Sequence, residues 1–556
     1  MANGESPCRA GSRAAMKAVR TTCPFCLNGC ESIVTAGYQY RMEYPTDAVV
    51  NRGRLCPRGN SASIVVDHPR RLAYPLLDGK EVGWDQAMAY CREALVGSEP
   101  SEIAVVYSRG LAHEEIGSVC GFASALGTSN LVCGYVEPDN CFQVRLAGVR
   151  AATLDDVRKA KTTLLVGDVF STSPVAAGPI TEARYADRKN RMVVIDSVKT
   201  RQAGFAHLFL QVKPGTEVFC LLGIAGSLDR SLGVDVARCA VAAGVEERQL
   251  SDVAQMLANG PGFVGSAMHL GRVAHPVQHS LMSQLVATES GATFNGFGEA
   301  RVPFGKLSFS EFRGRVRAGG VRAVFWFGGL YPYSYPGVMP EAAKVRFSAV
   351  SSIFRPDVPL PGLVLPAASE LEKESVGESY WGEVGRHPVA EPPSGARPVP
   401  AILAELAQAR TEEAPSAPTL SEPEAVQVTL ATLEGAGPGP AEFTLVGEKR
   451  AIGIGGFYES EEQVSVSPAD SAQLGLSGTD DLLVESTAGS ARFHVKSTAA
   501  VPPGVLAVGV NAHRNRALFP LADDPVSGIA MPPAAARVTK VPAAERSPAE
   551  NIARAE

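Results

Sequence analysis

Of the eleven cysteines in this 556-residue chain, three fall within eight positions, Cys23-Pro24-Phe25-Cys26-Leu27-Asn28-Gly29-Cys30, and a fourth closes the group in Arg54-Leu55-Cys56-Pro57-Arg58-Gly59. The 25 residues between the third and fourth let all four thiols meet at one soft metal centre with little loop-closure cost. Gly29 and Gly59 permit tight backbone bends beside a ligand, and Pro24 and Pro57 stiffen the two turns. Four thiolates suit a cubane 4Fe-4S cluster, and by ligand type they suit structural zinc as well. Zinc modules usually pair two C-x2-C knuckles, whereas the second half here offers one cysteine, so the spacing favours the cluster. A disulfide framework is disfavoured by the low cysteine density and the absence of an apolar leader ahead of the motif.

The length suggests about four domain-sized units. The net charge of -6 gives no basic footprint for nucleic acid and no polybasic anchor. No run of about 18 apolar residues occurs, so no membrane span is expected. Residues 1–20 are polar and read as an unstructured terminus, with Met16 an alternative start that would make Cys8 irrelevant, and the protein is expected to be cytoplasmic.

After the cluster module, assigned to residues 21–75, helical spacing runs from Trp84 to Leu95 and makes Cys91 a buried helix residue. Apolar runs then alternate with helical segments. Ile103–Tyr107, Thr162–Val166 ending in Gly167-Asp168, and Arg191–Ile195 ending in Asp196 read as buried parallel strands with crossover helices. Ligands bind beyond the carboxyl ends of such strands. There Asp196 is placed to accept from a ribose or purine, and Gly167 admits backbone to a phosphate. A strand-terminal aspartate serves equally as a helix N-cap.

The α/β region is assigned to residues 76–410, as units of about 101–217 and 218–406. The second contains Gly262–Gly265, Ala323–Phe327 with Gly328-Gly329, and Val364-Leu365-Pro366 before a helix. Residues 411–440, rich in Ala, Pro and Glu, read as a linker. Residues 441–545 carry short strands, including 463–466, 482–485, 491–495 and 505–508, separated by turn signals at Gly478, Gly489 and Pro502-Pro503-Gly504. Their spacing is barrel-like, and 546–556 form a tail.

This order of parts resembles the molybdopterin-dependent oxidoreductases of the dimethyl-sulfoxide-reductase type, nearest in pattern to formate dehydrogenase catalytic subunits. The carriers are the cysteine module, His68-Pro69-Arg70-Arg71-Leu72, Gly127-Thr128-Ser129-Asn130, Leu165–Asp168, Val194-Ile195-Asp196 with Thr200, and Lys213-Pro214-Gly215-Thr216. Val364–Ala368, Glu372-Lys373-Glu374, Pro502-Pro503-Gly504 and Asp524-Pro525 follow in the same order. The segment Phe294–Phe297 through Phe304 and Phe309 resembles, more loosely, the B subunit of formylmethanofuran dehydrogenase.

The resemblance implies a 4Fe-4S cluster on Cys23, Cys26, Cys30 and Cys56. It also implies a bis-molybdopterin guanine dinucleotide with molybdenum or tungsten between the α/β units and the β domain. Gly167, Asp168, Asp196, Thr200, Gly215, Thr216 and Asp524 match the dinucleotide-contacting segments, and Arg58 matches the Lys or Arg between cluster and pterin. Cys141, six residues before Ala147-Gly148, matches the metal-ligand position, with Cys133 the other candidate. Phe142 follows where formate dehydrogenases carry a His, and their substrate-orienting Arg has no counterpart in 290–299, so Arg145 or Arg301 stands as a candidate anion clamp. The activity so implied is formate-dehydrogenase-like electron transfer from a C1 or other small substrate to an iron-sulfur or flavin partner subunit. A non-catalytic electron-transfer subunit like the large cluster-bearing subunit of complex I, and a family reductase of another substrate, are the alternatives.

Overall fold

In the computed structural model the described residues are 18–36, 40–328, 344–355, 362–393, 395–407, 411–433, 442–448, 462–477, 479–510, 513–522, 524 and 530–541. Gly329, Gly478, Pro525, residues 434–440 of the expected linker and the tail lie outside them.

The chain opens on an antiparallel meander of β1 (Ala18–Thr22), β2 (Glu31–Thr35) and β3 (Arg41–Glu43), so regular structure begins inside the stretch expected to be unstructured. The hairpin β4 (Leu76–Leu77) and β5 (Lys80–Glu81) precedes a helix at Trp84–Val96 that buries Cys91, and then β6 (Ile103–Tyr107) and β7 (Asn130–Cys133) follow. A short β8 (Arg145–Leu146) leads into β9 (Thr162–Val166), β10 (Arg191–Asp196), β11 (Leu208–Gln211), β12 (Gly262–Ala267) and β13 (Thr293–Phe297). These last five form one all-parallel sheet in the order β11-β10-β9-β12-β13.

β14 (Ala323–Phe327), β15 (Phe347–Ser352) and β16 (Leu363–Pro366) then rejoin β6. The resulting sheet runs β5-β4-β16-β15-β14-β6-β7. The two α/β units are therefore nested and do not divide at residue 217. Ile103 pairs with Ala323, and the 162–297 unit is inserted between them. No local signal marks such a division, because strand pairing is settled by which apolar faces meet across the fold.

Two further expectations are corrected. No helix directly follows Pro366: the chain turns into the hairpin β17 (Ser375–Ser379) and β18 (Gly382–Arg386), and the next helix is at Val399–Leu406. Nor is 411–433 a bare linker: β19 (Thr419–Leu420) pairs with β8, and a helix at Glu422–Leu433 buries Ala425, Val426 and Thr429. Its start signal, Ser421 bonded to Glu424 three residues on, lies within Pro- and Ala-rich sequence.

The β domain closes as a six-stranded barrel of β20 (Phe443–Glu448), β21 (Gln463–Val466), β22 (Asp481–Ser486), β23 (Ser490–Ser497), β24 (Val505–Gly509) and β25 (Ala534–Val541). Closure leaves no free sheet edge. Among the described residues no helix is long and apolar enough to cross a membrane.

Buried charges fasten distant motifs together. Arg71 pairs with Glu372, with side-chain exposures of 6% and 0%, and Lys373 pairs with Glu115. Removing one partner strands a buried charge, which costs far more than replacing both by apolar groups. Glu372→Ala is therefore expected to lower stability by about 3–5 kcal/mol in urea titration, and Arg71→Met with Glu372→Leu to recover most of the loss.

Candidate functional site

All four motif cysteines line one pocket with Phe25, Asn28, Leu55, Arg58, Gly59, Pro174 and Val175. Cys23 N donates to Cys30 O at 2.8 Å to close the first turn. Gly29 takes φ +71 there, and a Cβ on it would lie 2.9 Å from Ser379 Cβ. Asn28 Nδ2 donates to Cys30 Sγ at 3.0 Å, and Gly59 N to Cys56 Sγ at 3.5 Å.

Burial first, then the Cys26 and Cys56 thiolates, push the Cys23 thiol up to about 12, and burial with Cys26 and Cys23 holds Cys30 well above its ordinary value. Four thiolates here require compensating metal charge. By ligand type the four thiols suit zinc or an iron-sulfur cluster, and the single cysteine of the second motif favours the cluster over paired zinc knuckles.

Arg58 is buried behind this pocket. It donates through Nη1 to Glu299 Oε1 at 2.8 Å and through Nη2 to the carbonyls of Ser171 and Thr172, while its Nε has no partner. Burial opposes its charge, yet Glu299 and the thiolates hold its pKa above the ordinary arginine value. Arg109 pairs with the other oxygen of Glu299. Glu299 N donates to Asp139 Oδ2 at 2.6 Å, and Tyr135 OH donates to Asp139 Oδ1 at 3.0 Å.

Asp139 shares the 3-10 turn Pro138–Gln143 with Cys141, so a continuous polar connection leads from the cysteine pocket to that turn. Cys141 itself is fully buried and packs with Phe142, Val144 and Leu146 in the apolar core of the parallel five-stranded sheet. Cys133 is buried against the same turn, its Sγ 3.7 Å from Tyr135 O and 3.9 Å from Asn140 Nδ2. Arg145, partly buried, has its pKa lowered by burial and then by Arg301, which sits at 3.5 Å from both Asn295 Oδ1 and Gly296 O. The two candidate clamp arginines thus share one electrostatic neighbourhood.

The residues matched to a dinucleotide divide into three kinds. Gly167, at φ +69, is a position where a Cβ would lie 2.1 Å from Ala267 O, so only glycine fits. Asp168 is an N-cap, accepting from Ser171 N at 3.2 Å and from Ser171 Oγ at 2.6 Å. Thr216 donates its hydroxyl to Lys213 O within its own turn.

Asp196 is different, because its Oδ2 meets Arg272 Nη1 at 3.2 Å with both side chains almost wholly buried. Arg272 Nε and Nη2, Ser197 Oγ and Thr200 Oγ1 have no partner and no solvent. Orphaned donors on a buried guanidinium fit an anion, and the hydroxyls beside them fit a ribose or phosphate. Arg272 was missed by sequence reasoning; its one signal is its place in the loop that follows the carboxyl end of β12. That loop touches the barrel through Gly271 O and Gly447 N at 2.9 Å. Gly215 lies against its Ala274, and the charge of buried Asp524 acts on its His275.

Burial raises the Asp196 carboxyl to about 6, only partly offset by Arg272. The folded chain then holds a proton that the unfolded chain has released, so its stability falls as pH rises from about 4 to about 6 and is level above. Asp196→Asn is expected to flatten that portion of the stability-pH curve.

Two family models match the chain. Residues 16–68 match the molybdopterin oxidoreductase Fe4S4 domain, and residues 71–328 match molybdopterin oxidoreductase. A nitrate reductase of Klebsiella oxytoca is 26% identical over 229 residues, 39% of this chain and 26% of that protein. NADPH-Fe(3+) oxidoreductase subunit alpha of Geobacter sulfurreducens is 25% identical over 278 residues, 44% of this chain and 33% of the relative. F420-dependent formate dehydrogenase 2 subunit alpha of Methanococcus maripaludis is 26% identical over 221 residues, 36% and 32%. The matched stretches thus span a third or less of these relatives' own lengths.

Among solved structures, acetylene hydratase from Pelobacter acetylenicus superposes with a TM-score of 0.70 at 14% identity, covering 94% of this chain and 99% of that one, a likeness of fold. With both family models in register along the cysteine module and the nested sheets, the chain belongs to the molybdopterin oxidoreductase family of the dimethyl-sulfoxide-reductase type.

Proposed function

We propose that this chain is the substrate-handling subunit of an oxidoreductase that moves electrons between a small anionic or C1 substrate and a partner iron-sulfur or flavin subunit. The observation that carries this reading is the buried connection from the cysteine pocket through Arg58, Glu299 and Asp139 to the turn bearing Cys141. When bound, a molybdenum- or tungsten-pterin centre supplies the two-electron step and a 4Fe-4S cluster carries electrons singly.

The protein's own part is to hold and to exclude. Cys23, Cys26, Cys30 and Cys56 would hold the cluster, and Cys141 would hold the pterin-bound metal. Arg58 would stand beside the cluster on the side of the connection to Cys141. Arg272, Asp196, Ser197 and Thr200 hold the guanine dinucleotide, with Gly167 and Gly215 giving it room and Asp524 closing the site from the barrel side. Arg145 and Arg301 orient the anion. The formate dehydrogenase subunits among the relatives support a C1 substrate, and the fact that two of these relatives are alpha subunits supports a partner. The nitrate reductase relatives support an oxyanion instead.

A second reading, electron conduction without substrate chemistry, draws on the apolar packing around Cys141 and on Phe142 beside it. Metal analysis separates the two. Anaerobically purified chain is expected to carry about four irons and one molybdenum or tungsten, with Cys141→Ser keeping the iron but losing turnover. Iron without either metal, after expression with full cofactor supply, would establish the second reading.

The dinucleotide assignment has its own check. Cofactor-free chain is expected to bind GDP in calorimetry, and Arg272→Gln to weaken that binding about tenfold or more. No GDP binding by the unaltered chain would remove the assignment.

A further inference from the structure

The four motif sulfurs do not meet the same donors. Cys56 Sγ takes the Gly59 amide at 3.5 Å, which is the N-cap bond of the short helix Pro57–Asn60. Cys26 Sγ has Ser173 Oγ at 3.8 Å, but Tyr380 gives its hydroxyl proton to Gly298 O and so receives the Ser173 proton at 3.0 Å. Among the described residues, Cys30 Sγ alone has a side-chain amide at hydrogen-bond distance, Asn28 Nδ2 at 3.0 Å.

Asn28 shares the pocket lining with the apolar Phe25, Leu55, Pro174 and Val175. It is 1% exposed, and its Oδ1 has no partner. Burying an amide with its oxygen unpaired works against folding. The polar end of Asn28 therefore does not serve the fold, and its one hydrogen bond among the described residues is to the sulfur.

The backbone holds this side chain in place. Immediately before Asn28, Leu27 O accepts from Tyr380 N at 2.6 Å. Immediately after it, Gly29 at φ +71 lies so close to Ser379 that a Cβ would stand 2.9 Å from the Ser379 Cβ. The β17–β18 hairpin thus fixes the chain on both sides of Asn28, and the amide is presented to Cys30 already oriented.

The direction of the bond follows from the chemistry of a ligated thiolate. A sulfur bound to iron carries no proton and can only accept. Nδ2 therefore faces it, and the like-charged Oδ1 faces away. Between apolar walls such a dipole is weakly screened.

We propose that Asn28 is a positioning residue that acts through Cys30, raising the reduction potential of the cluster by its hydrogen bond to that sulfur. Reduction adds negative charge to the cluster and its sulfurs, so a donor aimed at a sulfur ligand stabilises the reduced form more than the oxidised one. The inference rests on Cys30 being a cluster ligand.

The test is a redox titration of the full-length, cluster-loaded protein followed by electron paramagnetic resonance. Asn28→Leu, similar in shape but without the N–H, is expected to hold about four irons and to shift the midpoint to more negative potential. An unchanged or more positive midpoint in that variant overturns the proposal. A second measurement needs no substitution. With asparagine side chains labelled with nitrogen-15, pulsed resonance of the reduced cluster is expected to show a nitrogen coupling from Asn28, the asparagine that lines the pocket. Absence of that coupling overturns the proposal, and this measurement decides should Asn28→Leu fail to hold its iron. Iron content tests the ligand assignment separately. A full complement of iron in Cys30→Ala removes that assignment and the proposal with it. An unchanged midpoint in iron-loaded Asn28→Leu removes the proposal alone and leaves the cluster standing.

Discussion

Four sulfurs gathered in one pocket govern the amino-terminal part of this molecule. Burial drives the Cys23 and Cys30 thiols toward their neutral forms, and neighbouring thiolates drive them further. The arrangement is therefore unfavourable until metal charge enters it. Until then the remaining structure must hold the pocket in shape, and the residues that do so come from far along the chain. Thr21 and Thr22 donate to the carbonyls of His387 and Gly385, Tyr380 fastens Leu27, and Ser379 fills the space that Gly29 leaves open. The hairpin at 375–386 belongs to the cluster module in space although not in sequence. Buried pairs of Arg71 with Glu372 and of Lys373 with Glu115 hold the stretch leading into it.

The nested topology turns that local problem into a site. β9 and β12 are neighbours in one parallel sheet, so the loops leaving their carboxyl ends emerge side by side. The loop after β9 supplies Ser171 and Thr172 to Arg58 and Pro174 and Val175 to the cysteine pocket. The loop after β12 supplies Arg272 to Asp196, which ends β10, and abuts the barrel. The carboxyl end of the sheet thus carries both the loop that walls the sulfur pocket and the loop that bears the orphaned donors, with no long loop needed to bring them close.

What could be read from residue order follows from this. Ile103–Tyr107, Thr162–Val166, Arg191–Asp196 and Ala323–Phe327 were legible as strands because each is a short apolar run, buried along nearly its whole length. Four of the six barrel strands were legible from their turns, whereas β20 and β25, which close the barrel, were not. Sheet membership was not, since Ile103 finds Ala323 only through long-range packing, and nothing near residue 217 records an insertion. The two strand-terminal aspartates, alike on paper, part company in space: Asp168 caps the turn behind it, whereas Asp196 has no helix to cap and takes Arg272 as its partner. Arg272, Arg109 and Glu299 carried no motif. Their meaning lies in burial and mutual distance, and neither is written in spacing.

Glu299 shows how the charges of the site fit together. One carboxylate serves two arginines, one buried and one partly exposed, beside the sulfur pocket. The carboxylate also prevents Arg58 from collapsing onto the sulfurs, since Nη1 is held by Glu299 and Nη2 by the Ser171 and Thr172 carbonyls, while Nε stays unpaired. An arginine fixed in this way offers an adjoining cofactor a donor that needs no rearrangement. The same Glu299 backbone, bonded to Asp139, holds the Cys141 turn at the other end of the connection. Both ends of the buried route are thus referenced to a single residue, so a displacement at one is transmitted to the other through covalent backbone and two hydrogen bonds.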